Sequence, residues 1–374
     1  MKEKFEYICH RLEGKDYRIP YGQAQGERKE SLQLNESAAI LWEAFAKDKS
    51  LEEIITEYSH VTKIKESAME FQAFLYEQGI LEKPVTFETF TQGFSIADLN
   101  LLYLGIKEHM HPSFQDFALA KAYDAFHKPI DMRIQVLYGK PKVYHQGRVI
   151  LRSDEVIITE AKDEFIMIFL KDSALIEGRI TKDGHLAVFH TVYPIKESLC
   201  HVLFHGIRFA FLLLAQKKAK FALHSASILY KEKLWLFSAQ SGGGKSTHSG
   251  LWHNILKAPL INGDVNCLGI EAGNVYCYGQ PWCGTSDIYS PHNYPVGGIV
   301  FLSQGPKEQV SPLSHSQKVL MLNNRLISPA WTKEQAKSNL TFAEKVAKKV
   351  PILYYSCTME PSAVTYLQTI IDNL

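Results

Sequence analysis

Ser238 to Gly250 reads SAQSGGGKSTHSG. Three successive glycines, Gly242, Gly243 and Gly244, run into Lys245, Ser246 and Thr247. Before them, Leu234, Trp235, Leu236 and Phe237 make the short apolar run of a buried strand. After them, Ser249 to Leu256 can continue as a helix. Strand, glycine loop, Lys-Ser/Thr and helix is the order of a phosphate-binding loop. Glycine lets successive backbone N–H groups converge on a phosphate that a side chain would block. The helix start adds free N–H groups and a positive dipole end. Nucleotide contacts are therefore expected from Ser241 through Thr247 (Ser241, Gly242, Gly243, Gly244, Lys245, Ser246 and Thr247). Lys245 supplies a mobile cation for the β- and γ-phosphates, and the Ser246 hydroxyl can ligate Mg²⁺. ATP and Mg²⁺ are thus the expected cofactors. Ala239 stands where G-x-x-x-x-G-K-[ST] has its first glycine, so the match is incomplete.

The 374 residues allow two or three domains with real cores. The chain is 46% hydrophobic and 22% charged, as a globular protein is, and its formal net charge is +1. That charge gives no electrostatic case for nucleic acid or an anionic membrane as partner. The fifteen histidines are scattered without metal-ligand spacing. The six cysteines form no C-x-x-C, and the cluster of Cys267, Cys277 and Cys283 reads as small buried thiols. The amino terminus, MKEKFEYICHRLEGKD, is too charged for a signal peptide. The most apolar stretch, Phe204 to Ala215, contains Arg208 and is too short to span a bilayer. A reducing, cytoplasmic setting is expected.

Residues 1–83 read as a small α/β unit. Phe5 to Leu12 and Tyr17 to Tyr21 flank a turn at Glu13-Gly14, and a third strand covers Ser31 to Leu34. Asn35 caps a helix with Ala38, Ala39, Leu41, Trp42 and Phe45 on one face. Ser50 caps a second helix, with Glu53 completing a capping box. A third helix runs from Glu66 to Gln78, with Met69, Phe71, Phe74 and Leu75 apolar and Gly79 as its C-cap. The stretches LNESAAILWEAF, SLEEIITEYS and FQAFLYEQGILE resemble the PqqD family of peptide-recognition elements. That resemblance implies a winged-helix-like module that catalyses nothing. It would hold the leader of a ribosomally made precursor peptide as a strand added to the sheet edge beside the third helix.

Lys83-Pro84 and the stretch to Gly93 mark a boundary, and residues 94–374 form a second domain. Within it, 94–195 reads as a mostly antiparallel β lobe without a chemical motif. Its strands are expected at Ile96–Gly105, Met132–Tyr138, Val143–Leu151, Glu155–Ile158, Phe165–Leu170, Ser173–Ile180 and Leu186–Thr191. Residues 196–374 read as the nucleotide-binding core. Glu197 to Lys218 is an apolar helix with Leu203, Ile207, Phe211 and Leu214 on one stripe. A hairpin around Tyr230-Lys231-Glu232-Lys233 then delivers the chain to the glycine loop.

His224-Ser225-Ala226, a strand, a turn, a strand and then the glycine loop resemble the HPr kinase/phosphorylase family over about residues 200–310. The tail SGGGKST is also similar to the phosphate loop of ATP-dependent phosphoenolpyruvate carboxykinases. The run Pro259-Leu260-Ile261-Asn262-Gly263-Asp264 suits a buried strand whose terminal carboxylate points at Mg²⁺. Asp264 can serve as metal ligand, as general base, or as both in turn. The family carries two consecutive aspartates there, and this chain has Asp264 followed by Val265, which weakens the case for reverse, phosphorylase-type activity. The resemblance places His224 near the transferred phosphoryl group. In the loop YGQPWCGTSDIY, Trp282, Gly284, Thr285 and Ser286 are candidate acceptor or phosphate contacts. Arg325, on a helix expected over Ser314 to Ile327, is a candidate charge-stabilising arginine.

The expected fold class is therefore α/β (α+β), a winged-helix-like module followed by a mixed-sheet P-loop domain. The expected function is transfer of the γ-phosphoryl of ATP to a hydroxyl, serine first, of a precursor peptide held by the first domain. A small-molecule kinase acting on free serine and a non-catalytic, nucleotide-gated peptide chaperone are the alternatives.

Overall fold

The structure is a computed structural model that describes residues 6–21, 31–47, 49, 51–60, 63–77, 90–119, 129–139, 147–170, 174–191, 198–240 and 242–374. Ser241 and the Ser50 and Gly79 caps lie outside them. The chain divides into two compact units, Met1–Phe87 and Glu88–Leu374.

In the first unit, β1 (Glu6–Leu12) and β2 (Lys15–Tyr21) form a hairpin, and β3 (Leu32–Leu34) adds antiparallel to β2 as the edge. Glu13 and Gly14 both take positive φ, which turns the chain in two residues. Three helices follow: α1 (Glu36–Ala46), α2 (Leu51–Glu57) and α3 (Ile64–Glu77). Asn35 caps α1 by accepting from the Ala38 amide at 2.8 Å. Leu34, Trp42, Phe45, Ile54, Ala68 and Leu75 make the core. Met69, expected on the apolar face of α3, is instead 50% exposed.

The second unit holds two sheets. The first has eight strands: β4 (Phe90–Ile96), β5 (Leu99–Gly105), β6 (Met132–Tyr138), β7 (Arg148–Arg152), β8 (Val156–Glu160), β9 (Glu164–Phe169), β10 (Leu175–Thr181) and β11 (Leu186–Thr191). Their order is β4-β5-β6-β11-β10-β9-β8-β7. The single strand expected over Ile96–Gly105 is two strands, turned at Ala97-Asp98, where both residues take positive φ. The lobe is mostly antiparallel, as expected, with β6 the exception, since it pairs parallel with both β5 and β11.

The helix α4 (Leu199–Lys217) packs between this sheet and the next. It is long and apolar enough to cross a membrane by length and composition, longer than the stretch judged from sequence. In the fold, 67% of its most apolar window is buried inside the protein. Gly206 permits the close approach, since a Cβ there would lie 2.9 Å from the Phe189 ring.

The second sheet contains β12 (Lys220–His224), β13 (Ala226–Tyr230), β14 (Lys233–Ser238), β15 (Leu260–Asn262), β16 (Val265–Glu271), β17 (Asn274–Tyr278), β18 (Tyr294–Gln304), β19 (Gln309–Ser311) and β20 (Ile352–Cys357). Its centre is parallel: β14 pairs with β18, and β18 with β20. Successive residues of these strands enter opposite apolar clusters. Leu234, Leu236, Ile299 and Phe301 face one, and Trp235, Phe237, Val300 and Leu302 the other. A sheet covered on both faces explains the continuous apolar run before the glycine loop. The covers are α6 (His315–Asn323) and α7 (Lys333–Ala347) on one face. On the other lie α5 (Lys245–Leu256) and α8 (Ser362–Asp372). The fold is thus mixed α/β with a P-loop between β14 and α5.

Candidate functional site

The glycine loop has a separate steric reason at each glycine. Gly242 and Gly244 have φ of 74° and 90°, a region that L side chains avoid. Gly243 has no room: a Cβ there would sit 2.8 Å from Ala239 Cβ. Ala239 is buried, and its φ is not positive, so this position tolerates a side chain. The departure from the usual pattern therefore leaves the loop intact. α5 begins at Lys245, earlier than Ser249, so Lys245, Ser246 and Thr247 form its first turn. The first-turn amides lie at the positive end of the helix.

Strand pairing brings three of the expected residues together. β12 runs antiparallel to β16, which sets His224 opposite Val265, next to Asp264. β13 and β14 are antiparallel, so His224 also lies beside the end of β14; Ser238 Oγ donates to its carbonyl at 2.7 Å. Lys245 Nζ reaches His224 Nε2 at 2.7 Å, and His224 Nδ1 lies 3.3 Å from Asp264 Oδ1. An ammonium donating to Nε2 leaves the ring proton on Nδ1, where it faces the carboxylate. Burial holds the His224 pKa below its ordinary value; Asp264 opposes that, while Lys245, Arg325 and Arg208 reinforce it. Lys245 is likewise lowered by burial, with Asp264 opposing and Arg325 reinforcing. A neutral imidazole between an ammonium and a carboxylate can pass or orient a proton.

Asp264 is not at the end of a buried central strand. β15 lies at the sheet edge, and Gly263-Asp264 is the corner between β15 and β16. β15 is antiparallel to β13 and so runs in the direction of β14. Asp264 therefore still lies at the carboxyl edge where the glycine loop emerges. Asn262 fixes the corner: its Oδ1 accepts from the amides of Asp264 and Val265, both at 2.9 Å, and its Nδ2 donates to the Trp282 carbonyl. Val265 is 2% exposed in an apolar cluster, so its side chain adds packing beside the Asp264 corner.

The 279–288 loop closes over this corner. Gly284 has φ of 66°, and a Cβ on it would approach Asp264 Cγ to 2.9 Å. Trp282 does not wall the site. It is 1% exposed, packs on Phe211 and donates from Nε1 to the Phe204 carbonyl at 3.0 Å, so it anchors the loop. Ser286 Oγ donates to the Cys283 carbonyl and accepts from the Ile288 amide, which makes it a brace within the loop. Thr285 is exposed. Cys267, Cys277 and Cys283 are free and buried, and burial pushes the Cys267 thiol up to about 12.

Arg325 lies past the end of α6, not within it. Its carbonyl accepts from the His224 amide at 2.9 Å. With Ala239, Gln240, Gly243 and Tyr354 it lines a cavity of about 550 Å³ beside the glycine loop. Among the described residues, no group of three His, Cys, Asp or Glu side chains is arranged to hold a metal. Mg²⁺ needs no such cage, since it takes one or two protein oxygens and completes its shell with phosphate and water. One carboxylate, Asp264, and one first-turn hydroxyl, Ser246, fit that donor set.

Sequence reasoning missed Asn262. The Asn-Gly pair at 262–263 is a turn signal that marks the corner.

No protein-family model matches the chain, and no curated protein does. Among solved structures, the chain is similar to the HPr(Ser) kinase/phosphatase from Coxiella burnetii. The match covers 41% of this chain and 93% of that one, at 10% identity and a TM-score of 0.25. Similarity at that level carries no functional weight, and the chemistry is read from the side chains themselves.

Proposed function

We propose that this protein is an ATP-dependent kinase that phosphorylates a hydroxyl, serine first, of a precursor peptide whose leader the N-terminal unit captures. The Lys245–His224–Asp264 chain at the mouth of the glycine loop is the observation that carries this reading. A loop that only turned the backbone would need none of these three groups.

The backbone amides of 242–247 hold the triphosphate, and Lys245 exchanges His224 for β- and γ-phosphate oxygens. Ser246 and Asp264 would hold Mg²⁺, which when bound would supply positive charge to the phosphate oxygens. The acceptor oxygen forms a bond to the γ-phosphorus as the bridge to the β-phosphate breaks, and ADP leaves. The acceptor proton passes to Asp264, with His224 beside it. Arg325 adds positive charge at the same place. Catalysis is chiefly positioning and charge stabilisation. In the N-terminal unit, β3 is an edge strand to which an extended peptide can add.

The test is incubation with Mg²⁺-ATP and leader-bearing, serine-containing peptides from any short reading frame found beside the gene, read by mass spectrometry. Gain of one phosphate, abolished in Asp264→Asn, is the expected result. Bound peptide and bound ATP with no mass gain would overturn the kinase reading in favour of a nucleotide-gated chaperone. Transfer to free serine without leader would place the acceptor among small molecules.

A further inference from the structure

The chemistry above uses the phosphate half of a nucleotide and assigns nothing to the other half. The cavity of about 550 Å³ beside the glycine loop is the largest space next to it that the chemistry leaves empty. Gly242 and Gly243 form one wall. The carboxyl ends of β14 and β18 contribute Ser238, Ser303 and Gln304, and the lining is completed by Tyr354 of β20 and by the end of α6. Gln304 joins the cavity to the loop through a long hydrogen bond, its Nε2 donating to the Gly242 carbonyl at 3.4 Å.

Strand order gives the cavity a side. β14 has β18 on one flank and β13 on the other; β20 lies beyond β18, and β15 beyond β13. Asp264 follows β15, so it marks one flank, while the cavity lies on the other. A triphosphate held by the loop with its γ-phosphorus towards Asp264 therefore carries its α-phosphate, sugar and base towards β18 and β20. Four strand spacings separate β15 from β20, about 19 Å at the usual spacing, which is comparable with the span of an extended nucleoside triphosphate. Crevices at the carboxyl ends of parallel strands are where such sheets take ligands.

The lining suits a neutral, flat group. Arg325 is its one charged residue, and it stands at the catalytic end, since its carbonyl takes the His224 amide. Met321 and Tyr354 are half-buried against the apolar cluster under α6, and both line the cavity. A thioether and a phenol ring offer polarisable surface to the face of an aromatic base. Among the described residues, the side chains of Gln240, Asn324 and Tyr354 make no hydrogen bond. A primary amide both donates and accepts, as the edge of a purine does.

We propose that this cavity is the nucleoside site, taking a purine base against Met321 and Tyr354 with the amides of Gln240, Gln304 and Asn324 at its edge. The inference rests on the phosphate-loop part of the kinase reading and deepens it: the protein selects a purine nucleoside triphosphate over the bare phosphate chain.

Calorimetry tests this with the Mg²⁺ complexes of a non-hydrolysable ATP analogue, the matching CTP analogue and inorganic tripolyphosphate. Wild type is expected to bind the ATP analogue about tenfold or more tighter than tripolyphosphate, with the CTP analogue in between. Met321→Trp fills the cavity and should erase that advantage while tripolyphosphate affinity stays within about twofold. Tyr354→Ala removes a wall without filling the space and should weaken the ATP analogue alone. Melting temperatures show that both variants fold. The proposal is overturned if wild type binds tripolyphosphate as tightly as the ATP analogue, or if both variants keep the nucleoside advantage. Equal loss for both ligands in Met321→Trp places its effect on the loop and also overturns it. Unchanged nucleotide affinity with a raised KM for the peptide gives the cavity to the acceptor instead. Wild type that binds neither ligand brings down the phosphate-loop reading together with this one. Purine-selective binding without phosphoryl transfer supports the nucleoside site and overturns the kinase chemistry alone.

Discussion

The two sheets of the second unit are similar in size and differ in what their strand ends do. The eight-stranded sheet uses its ends for tight turns, such as Ala97-Asp98 between β4 and β5. Its charged groups satisfy one another, as Arg179 does with Glu177 and Glu164. The second sheet has a parallel centre, β14, β18 and β20, whose strands all end on one edge. Parallel strands cannot close by hairpins, so their ends must feed longer loops and helix starts. The glycine loop, His224, Asp264 and Arg325 all collect at that edge. Chemistry sits where backbone groups and charges are left over, and the first sheet leaves few of either.

The largest contrast comes from one cation beside the second sheet and one within the first. Lys245→Ala is expected to reduce phosphoryl transfer on the order of a hundredfold or more with little change in melting temperature. Arg179→Ala should do the reverse. It strands two carboxylates, costing about 3 kcal/mol of stability, and should leave nucleotide affinity unchanged. Equal loss of transfer in both variants would break the division between the sheets.

Acid should act on the second sheet through His248. Trp252 Nε1 donates to its Nε2 at 3.1 Å, and its Nδ1 is buried without a partner. Burial depresses its pKa from 6.5 to about 4. Above 6.5 it is neutral in both states and costs nothing. As pH falls from 6.5 towards 4, the unfolded chain takes up the proton first, and stability drops by about 3 kcal/mol. Urea titrations between pH 7 and 4.5 should show this slope, and His248→Gln should flatten it. An unchanged slope would assign acid sensitivity elsewhere.

A pair of glycines gives the smallest effects. Gly243→Ala forces a Cβ against Ala239 and the Gln240 carbonyl, so nucleotide affinity should fall about tenfold as the loop shifts. Gly250→Ala in α5 meets no atom within 4 Å and should stabilise by about 0.5–1 kcal/mol. Nucleotide titration and thermal melting check both. If the two variants behave alike, the loop's steric demand is absent.

Much of this was legible in the residues because it is local. A strand, glycines, Lys-Ser-Thr and a helix follow in order, and each is set by neighbours a few residues away. The Glu13-Gly14 hairpin and the Asn35 cap are legible for the same reason. The Ala97-Asp98 turn was missed because no glycine or proline marks it, and two positive-φ residues without one are an uncommon choice. The parallel pairing of β6 was missed because it joins β6 to β11, far along the chain, and no local pattern records the partner. Trp282 was misplaced because a tryptophan in a glycine-rich loop looks the same from sequence whether it faces substrate or core.

The sequence by itself determined that a phosphate-binding loop stands between β14 and α5, since glycine φ and helix-start geometry are properties of adjacent residues. It also named Lys245, His224 and Asp264 one by one. Only the tertiary structure decided that the three form a continuous chain of contacts. The antiparallel register of β12 on β16 and the corner held by Asn262 set those distances. Only packing could tie the loop over Asp264 to α4, through the Trp282 Nε1 bond to the Phe204 carbonyl, because α4 is held there by the core it shares with both sheets.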